Sequence, residues 1–265
     1  MTELTVVVKE SEWRRLKLLV LDAVSSPTTR RVYNLALDEF IEWYDKGGRC
    51  GFTKSTVNAW RSSLESRGLG SSSINGRLSA VRKLAHEAGD NGMLAPEIAS
   101  AICRVRGSTG IRTGNWLSLQ QAQTLLNAPG IATLKGLRDR AILAVLIGCA
   151  LRRSEVAALA LARIQQLDGR WCIADLNGKH GRIRTVPIPT WVKVAVDAWT
   201  LAGRIETGLV FRPINRGSKV WGQRITEKVV WQLLRQYASD VGLPGIAPHD
   251  LRRTCAKLCR SRRRA

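Results

Sequence analysis

Apolar positions recur at helical spacing through most of the first hundred residues. In SSPTTRRVYNLALDEFIEWYDKGG, Ser26 and Pro27 form a cap and first-turn pair, and Gly47 and Gly48 close the run. Between them Val32, Leu35, Leu37, Phe40, Ile41 and Tyr44 keep a 3.6-residue period, which predicts an amphipathic helix over about 27–47. STVNAWRSSLESR (55–67) and SSSINGRLSAVRKLAHEA (71–88) repeat the pattern behind serine caps, the second with Ile74, Leu78, Val81, Leu84 and Ala85 in step. A short helix near 95–104 completes an all-helical unit of four. GSTGIRTGN, 107–115, has no apolar period and is read as a linker. The boundary placed there gives a helical unit over 1–110, a linker over 111–117 and a second unit over 118–265.

The second unit mixes periods. Ser118 caps a helix over LQQAQTLLNA, and GLRDRAILAVLIGCAL, 136–151, is apolar nearly all round, as a buried helix is. RWCIADL and RIRTVPI flank NGKHG, where Asn177-Gly178 marks a β-hairpin. GLVF at 208–211 is a candidate strand, and ITEKVVWQLLRQYASDV is a helix ended by Gly242 and Pro244. The expected fold class is mainly α with a small β-hairpin or sheet: a helical N-terminal domain followed by a mixed α/β domain.

Composition narrows the partners. A formal charge of +21 and a pI near 10.8 call for a polyanion, with nucleic acid as the first expectation. The excess is uneven: residues 1–110 hold 16 Lys+Arg against 12 Asp+Glu, net +4, and residues 111–265 hold 26 against 9, net +17. A hydrophobic fraction of 45% with nine Trp argues against bulk disorder. No apolar run reaches the roughly 18 residues that span a bilayer, and MTELTVVVKESEWRR does not resemble a signal peptide. Cys50, Cys103, Cys149, Cys172, Cys255 and Cys259 form no C-x-x-C pair, so reduced thiols and a cytoplasmic setting are expected. Cys255 and Cys259 share a helix face but have no further ligands nearby, and no metal or cofactor is expected.

Three clusters concern phosphate: ALRRSE at 150–155, Lys179 at the hairpin tip, and His249 with Arg252 one turn later in HDLRRT. Guanidinium forks bind phosphate oxygens in pairs and keep their charge, a hairpin-tip Lys can reach a leaving oxygen, and a His can carry a proton. Taken singly, each residue has a plainer role. Arg152 could answer a helix dipole, worth roughly 0.3 to 1 kcal/mol; Lys179 could be solvated, and His249 could merely start a helix.

The order ALRRSE, GKHGRIRTVPI, HDLRRT resembles the tyrosine recombinase (phage integrase) family, which carries an LRxSE box, a GKGxxxRxVP hairpin and an HxLRxT box in that sequence. The resemblance covers about 117–258, and the N-terminal helical unit is similar to the family's core-binding domain. It implies catalytic roles for Arg152, Lys179, His249 and Arg252, with Glu155 supporting the first arginine. The implied reaction is a metal-free phosphoryl transfer on double-stranded DNA: the arginines stabilise the developing charge, Lys179 protonates the departing 5′ oxygen and His249 assists proton movement.

The family's nucleophile is a tyrosine well past the second arginine, and no residue here corresponds to it. Tyr33, Tyr44 and Tyr237 all precede His249 and sit at packing positions. HDLRRTCAKLCR keeps a helical pattern that SRRRA then breaks, so the expectation is a catalytic domain truncated at its C-terminus, with an apolar groove left bare. Three functions stay open at this point. The chain could be a recombinase unable to cleave alone, a non-enzymatic DNA-binding remnant or regulator, or a subunit completed in trans by full-length recombinase protomers.

Overall fold

The computed structural model describes residues 10–48, 51–110, 115–178 and 182–262. The chain divides into two compact units, Met1–Arg112 and Thr113–Ala265, each with its own core.

The first unit holds five helices where four were expected: α1 (Glu10–Asp22), α2 (Pro27–Lys46), α3 (Lys54–Ser66), α4 (Ser71–Asp90) and α5 (Pro96–Cys103). The additional helix, α1, buries Trp13, Leu16 and Val20, a spacing of three and four that the preceding Val run obscures. Trp13 meets Tyr44, Phe52 and Phe40 edge-on at 5.2, 5.5 and 6.0 Å, so α1 completes the aromatic centre of this core. Ser26 caps α2 as expected, its hydroxyl accepting from the Thr29 amide. The inward face of α2 is Ala36, Leu37, Phe40 and Tyr44, whereas Val32 and Leu35 turn outward and are 45% and 62% exposed. At 100° per residue Leu35 lies roughly opposite that face. The other two caps also differ from expectation: Thr53 rather than a serine caps α3, and Gly70 precedes α4 without a side-chain cap.

The Gly/Ser/Thr-rich stretch after α5 is partly docked. Asn75 on α4 clamps Ser108 from both sides, its amide donating to the Ser108 carbonyl at 2.9 Å and its oxygen accepting the Ser108 N–H at 2.8 Å. Arg82 donates to the Val105 carbonyl and Arg61 to that of Arg106. Gly107 is required by this approach, since a Cβ there would lie 2.4 Å from Asn75 Oδ1. Asn75→Ala should loosen the strap locally by about 1–2 kcal/mol for two lost hydrogen bonds. Amide hydrogen exchange at Ser108 measures this, and an unchanged rate would rule the clamp out.

The second unit contains α6 (Leu119–Asn127), α7 (Leu134–Gly148), α8 (Arg153–Ala157), a single 3-10 turn (Leu161–Arg163), β1 (Ile164–Leu167), β2 (Arg170–Asn177), β3 (Ile183–Pro187), α9 (Thr190–Ala202), α10 (Glu227–Asp240) and α11 (Pro248–Arg262). Ser118 and Gln121 form a reciprocal capping box on α6. The buried helix α7 packs chiefly on α9, with Ala141 through Ile147 removed from solvent. The predicted hairpin is β2–β3, antiparallel with Cys172 opposite Pro187 and Asn177 opposite Ile183; β1 joins its far edge to make a three-stranded sheet. GLVF forms no strand: Leu209 makes one isolated bridge to Ala160, and Val210 and Phe211 enter the core. Trp199 of α9 is fully buried, its indole N–H donating to the Val210 carbonyl at 2.8 Å. Among the described residues no helix is long and apolar enough to cross a membrane.

Candidate active site

The site begins where α7 ends. The helix stops at Gly148, three residues before the expected end at 151, and Ala150 takes a left-handed conformation (φ +52°). That reversal carries the chain into α8 with Arg152 as its N-cap residue. Glu155, on the first turn of α8, reaches back to the Arg152 N–H at 2.7 Å and binds the Arg152 guanidinium at 2.7 Å with its other oxygen. Arg184 of β3 donates to the same carboxylate at 2.7 Å. One buried acid therefore holds two guanidinium groups from different elements. Burial pushes the Glu155 pKa up, but the bonds from Arg184 and Arg152 outweigh it and hold the carboxyl below its ordinary range.

Arg252 arrives from α11. Its guanidinium donates to the Ala150 carbonyl at 2.9 Å, so the left-handed turn that aims Arg152 also supplies an anchor for Arg252. Asp250 fixes the start of α11 by accepting the Ala247 N–H at 3.0 Å. Thr254 is buried and its hydroxyl accepts the Leu117 N–H at 2.9 Å, tying α11 to the entry of α6. Burial, then the like charges of Arg152 and Arg184, lower the pKa of Arg252, which places the three cations within electrostatic reach of one another. Three cations with one carboxylate leave a local excess of two positive charges. The Arg152 and Arg184 side chains are 39% and 30% exposed, so donors remain open to a bound anion.

Of the residues singled out in the sequence, Arg152, Glu155 and Arg252 are brought together. His249 lies on the first turn of α11, exposed, one turn before Arg252, with no hydrogen-bond or ion partner among the described residues. Lys179 lies outside the described residues; the strands that lead to it are β2 and β3. Arg184 received no role in the sequence reading, although it stands in the same hairpin box as Lys179. Its signal was weak: its partner is 29 residues away in the chain, and only the sheet brings them together.

The phenols are engaged in packing. Tyr237 on α10 donates to the buried Asp139 at 3.0 Å and accepts from Lys135 at 3.3 Å. Burial and the Asp139 charge raise its pKa, so it holds its proton. Tyr44 is buried in the core of the first unit and Tyr33 packs against that core.

Two thiols lie behind the cluster. Cys255 donates to the Gly148 carbonyl at 3.6 Å. Burial, then neighbouring Cys259, push its pKa up to about 11, and burial with Cys255 pushes Cys149 up to about 12. Both are protonated thiols at neutral pH. Among the described residues no group of three or more His, Cys, Asp or Glu side chains is placed to hold a metal ion. An open groove of about 820 Å³ runs between α6, α7, α9 and α11, with Leu119, Leu126, Ile147, Trp191 and Leu258 on its walls.

Residues 115–261 match the phage integrase family, and residues 16–92 match the phage integrase N-terminal SAM-like domain. A tyrosine recombinase of Synechococcus elongatus is 28% identical over 278 residues, covering 95% of this chain and 83% of that one. The tyrosine recombinase XerD of Neisseria meningitidis serogroup B is 33% identical over 140 residues, covering 52% of this chain and 46% of its own length. In fold, the chain is similar to a lambda integrase dimer bound to a COC′ core site, with a TM-score of 0.71 at 14% identity over 96% of this chain and 90% of that one. It is similar also to the XerH recombinase in its post-cleavage complex with palindromic difH, with a TM-score of 0.68 at 16% identity over 98% and 81% of the two chains.

Proposed function

The chain belongs to the phage integrase family, and we propose that it binds double-stranded DNA at a recombination site and holds one backbone phosphate on the Arg152–Arg252 pair. The observation that carries the reading is the meeting of Arg152 and Arg184 on one carboxylate with Arg252 anchored beside them on the Ala150 carbonyl, which leaves uncompensated cation density at a partly open surface. Two guanidinium forks on the non-bridging oxygens would stabilise the charge that develops as phosphorus becomes five-coordinate. His249 is the proton carrier beside Arg252, and Lys179 is the donor to the departing 5′ oxygen. Glu155 touches no phosphate; it positions Arg152.

The attacking hydroxyl comes from outside residues 1–265. Tyr237 is bound to Asp139 and Lys135, and Tyr44 is sealed in a core, so neither is poised to attack. Residues 1–265 therefore bind a site without supplying the nucleophile themselves, and the candidate partners in the reaction are full-length recombinase protomers.

A suicide half-site tests this directly. The pure chain should give no covalent protein–DNA adduct, while binding should weaken by roughly 10³ to 10⁵ between 50 and 200 mM salt if six to ten phosphates are neutralised. An adduct formed by this chain alone would overturn the assignment of the nucleophile, and binding without a salt slope would overturn the phosphate clamp. Adding an intact relative separates two forms of the reading. An adduct that depends on both proteins marks completion in trans, whereas suppression of the relative's own cleavage marks a regulator that occupies the site.

A further inference from the structure

Between Glu206 and Glu227 the chain carries no acid, and Arg212, Arg216, Lys219 and Arg224 all fall in that interval. The middle of it is a stiff hairpin. Ile214 and Val220 pair in an isolated bridge and pack against the core of the second unit. Above them the Asn215 N–H donates to the Lys219 carbonyl at 2.9 Å, and the Lys219 N–H donates to the Asn215 side chain at 2.9 Å. The Trp221 N–H closes the base onto the Pro213 carbonyl at 3.0 Å. Ser218 accepts a left-handed backbone (φ +55°) to make the turn, a conformation that a non-glycine residue adopts at a cost. Residues 215–219 consequently stand out from the body in one fixed shape, all exposed.

The side chains on this hairpin are unspent. Arg216, Lys219 and Arg224 make no ion pair among the described residues, whereas Lys17, Arg67, Lys135, Arg184 and Lys193 each bind a carboxylate. Trp221 is 60% exposed, more than any other described Trp. Three other exposed indoles each have a cation over the ring: Lys257 on Trp116 at 4.9 Å, Lys193 on Trp171 at 3.9 Å and Arg235 on Trp231 at 5.3 Å. Trp221 has none among the described residues, nor has Trp191, which is less exposed at 43%. A rigid loop that presents free cations next to a bare aromatic face matches a nucleic-acid backbone, where phosphates alternate with sugars that offer an apolar surface.

We propose that the 213–221 hairpin is a second duplex-DNA contact, separate from the Arg152–Arg184–Arg252 cluster, in which Arg216 and Lys219 each neutralise a phosphate and Trp221 packs on the sugar between them. This rests on the DNA-binding reading above. It adds register and grip at a distance from the reacting linkage, and Arg216 and Lys219 contribute no sequence readout of their own.

Salt titration of duplex binding by the full 265-residue chain tests it. Each phosphate contact contributes about 0.9 to the slope of log affinity against log salt, so the Arg216→Ala/Lys219→Ala double variant should lower the slope by about two and weaken binding on the order of tenfold at 100 mM salt. Its thermal melt should match that of the parent, because neither side chain packs. Duplex addition should quench indole emission, and Trp221→Phe should remove the largest share of that quench. A double variant with a native melt, unchanged slope and unchanged affinity overturns the hairpin contact, and a quench that survives Trp221→Phe overturns the role of the indole. If Arg252→Ala weakens binding while the hairpin variant does not, only this proposal falls. If the parent chain shows no salt-dependent binding, the DNA reading falls and takes the hairpin with it.

Discussion

Replacing Glu155 by Gln should destabilise the second unit by about 2–3 kcal/mol. Removing one partner of a fully buried ion pair costs about 3–5 kcal/mol, because the other charge is left without compensation. Here the carboxylate is buried, but Arg152 and Arg184 keep 39% and 30% of their side-chain exposure, so solvent screens part of the loss. Gln can still accept the Arg152 N–H, which isolates the charge from the helix cap. On a unit of this size the loss corresponds to a fall in Tm of roughly 5–10 °C.

The same substitution has a pH signature. Glu155 has its pKa held below the ordinary 4.5 in the folded chain. Its contribution is therefore complete above about 4.5 and disappears as pH falls through the lower folded value. Parent and Glu155→Gln chains should differ by a constant amount from neutral pH down to about 5 and converge in more acidic buffer. Urea unfolding across that range checks both claims; a gap that persists below the folded pKa would mean that Glu155 acts through packing and not through its charge.

The legible parts of this fold are those in which local signals agree. For α2 the Ser26 cap, Pro27, the apolar period and the closing glycines all mark the same boundaries, and the helix runs Pro27–Lys46. Two helices went unread for opposite reasons. In α1 the periodic residues follow a short apolar run with no cap signal, while α9, TWVKVAVDAWTLA, is apolar on its outer face too, with Trp191, Val194 and Leu201 exposed, so no single stripe stands out. β1, IQQL, is short and has only two apolar residues. In the site, Arg152 and Arg252 are individually ordinary, and the order of three boxes is what singles them out. The geometry that unites them is tertiary: a left-handed Ala150 gives one carbonyl to Arg252 and turns the chain toward Arg152. Arg184 depends on strand register, Leu176 opposite Arg184, which no local pattern encodes.

Arg252→Ala should separate the cost of losing an anchor from the cost of losing a phosphate ligand. In the free protein the two consequences oppose each other. The Ala150 carbonyl loses a hydrogen bond to a charged donor, which destabilises by about 1.5–3 kcal/mol. Repulsion with Arg152 and Arg184, which adds to burial in lowering the Arg252 pKa, is relieved at the same time. The net change without DNA should therefore be small, about 1 kcal/mol or less. With duplex DNA nothing offsets the loss. One charge-assisted fork to phosphate disappears, so affinity should fall by about 10- to 100-fold and the salt slope by about one. The stabilisation that DNA confers on the parent, about 2.7 kcal/mol at a hundred times Kd, should fall at the same DNA concentration to about 1.4 kcal/mol for a tenfold loss of affinity and to about 0.4 kcal/mol for a hundredfold loss. Arg252→Lys keeps the charge but not the planar pair of donors, so it should restore the slope and recover only part of the affinity. An alanine variant that binds with parental affinity and slope would show that Arg252 serves the end of α7 alone and that the phosphate is held elsewhere.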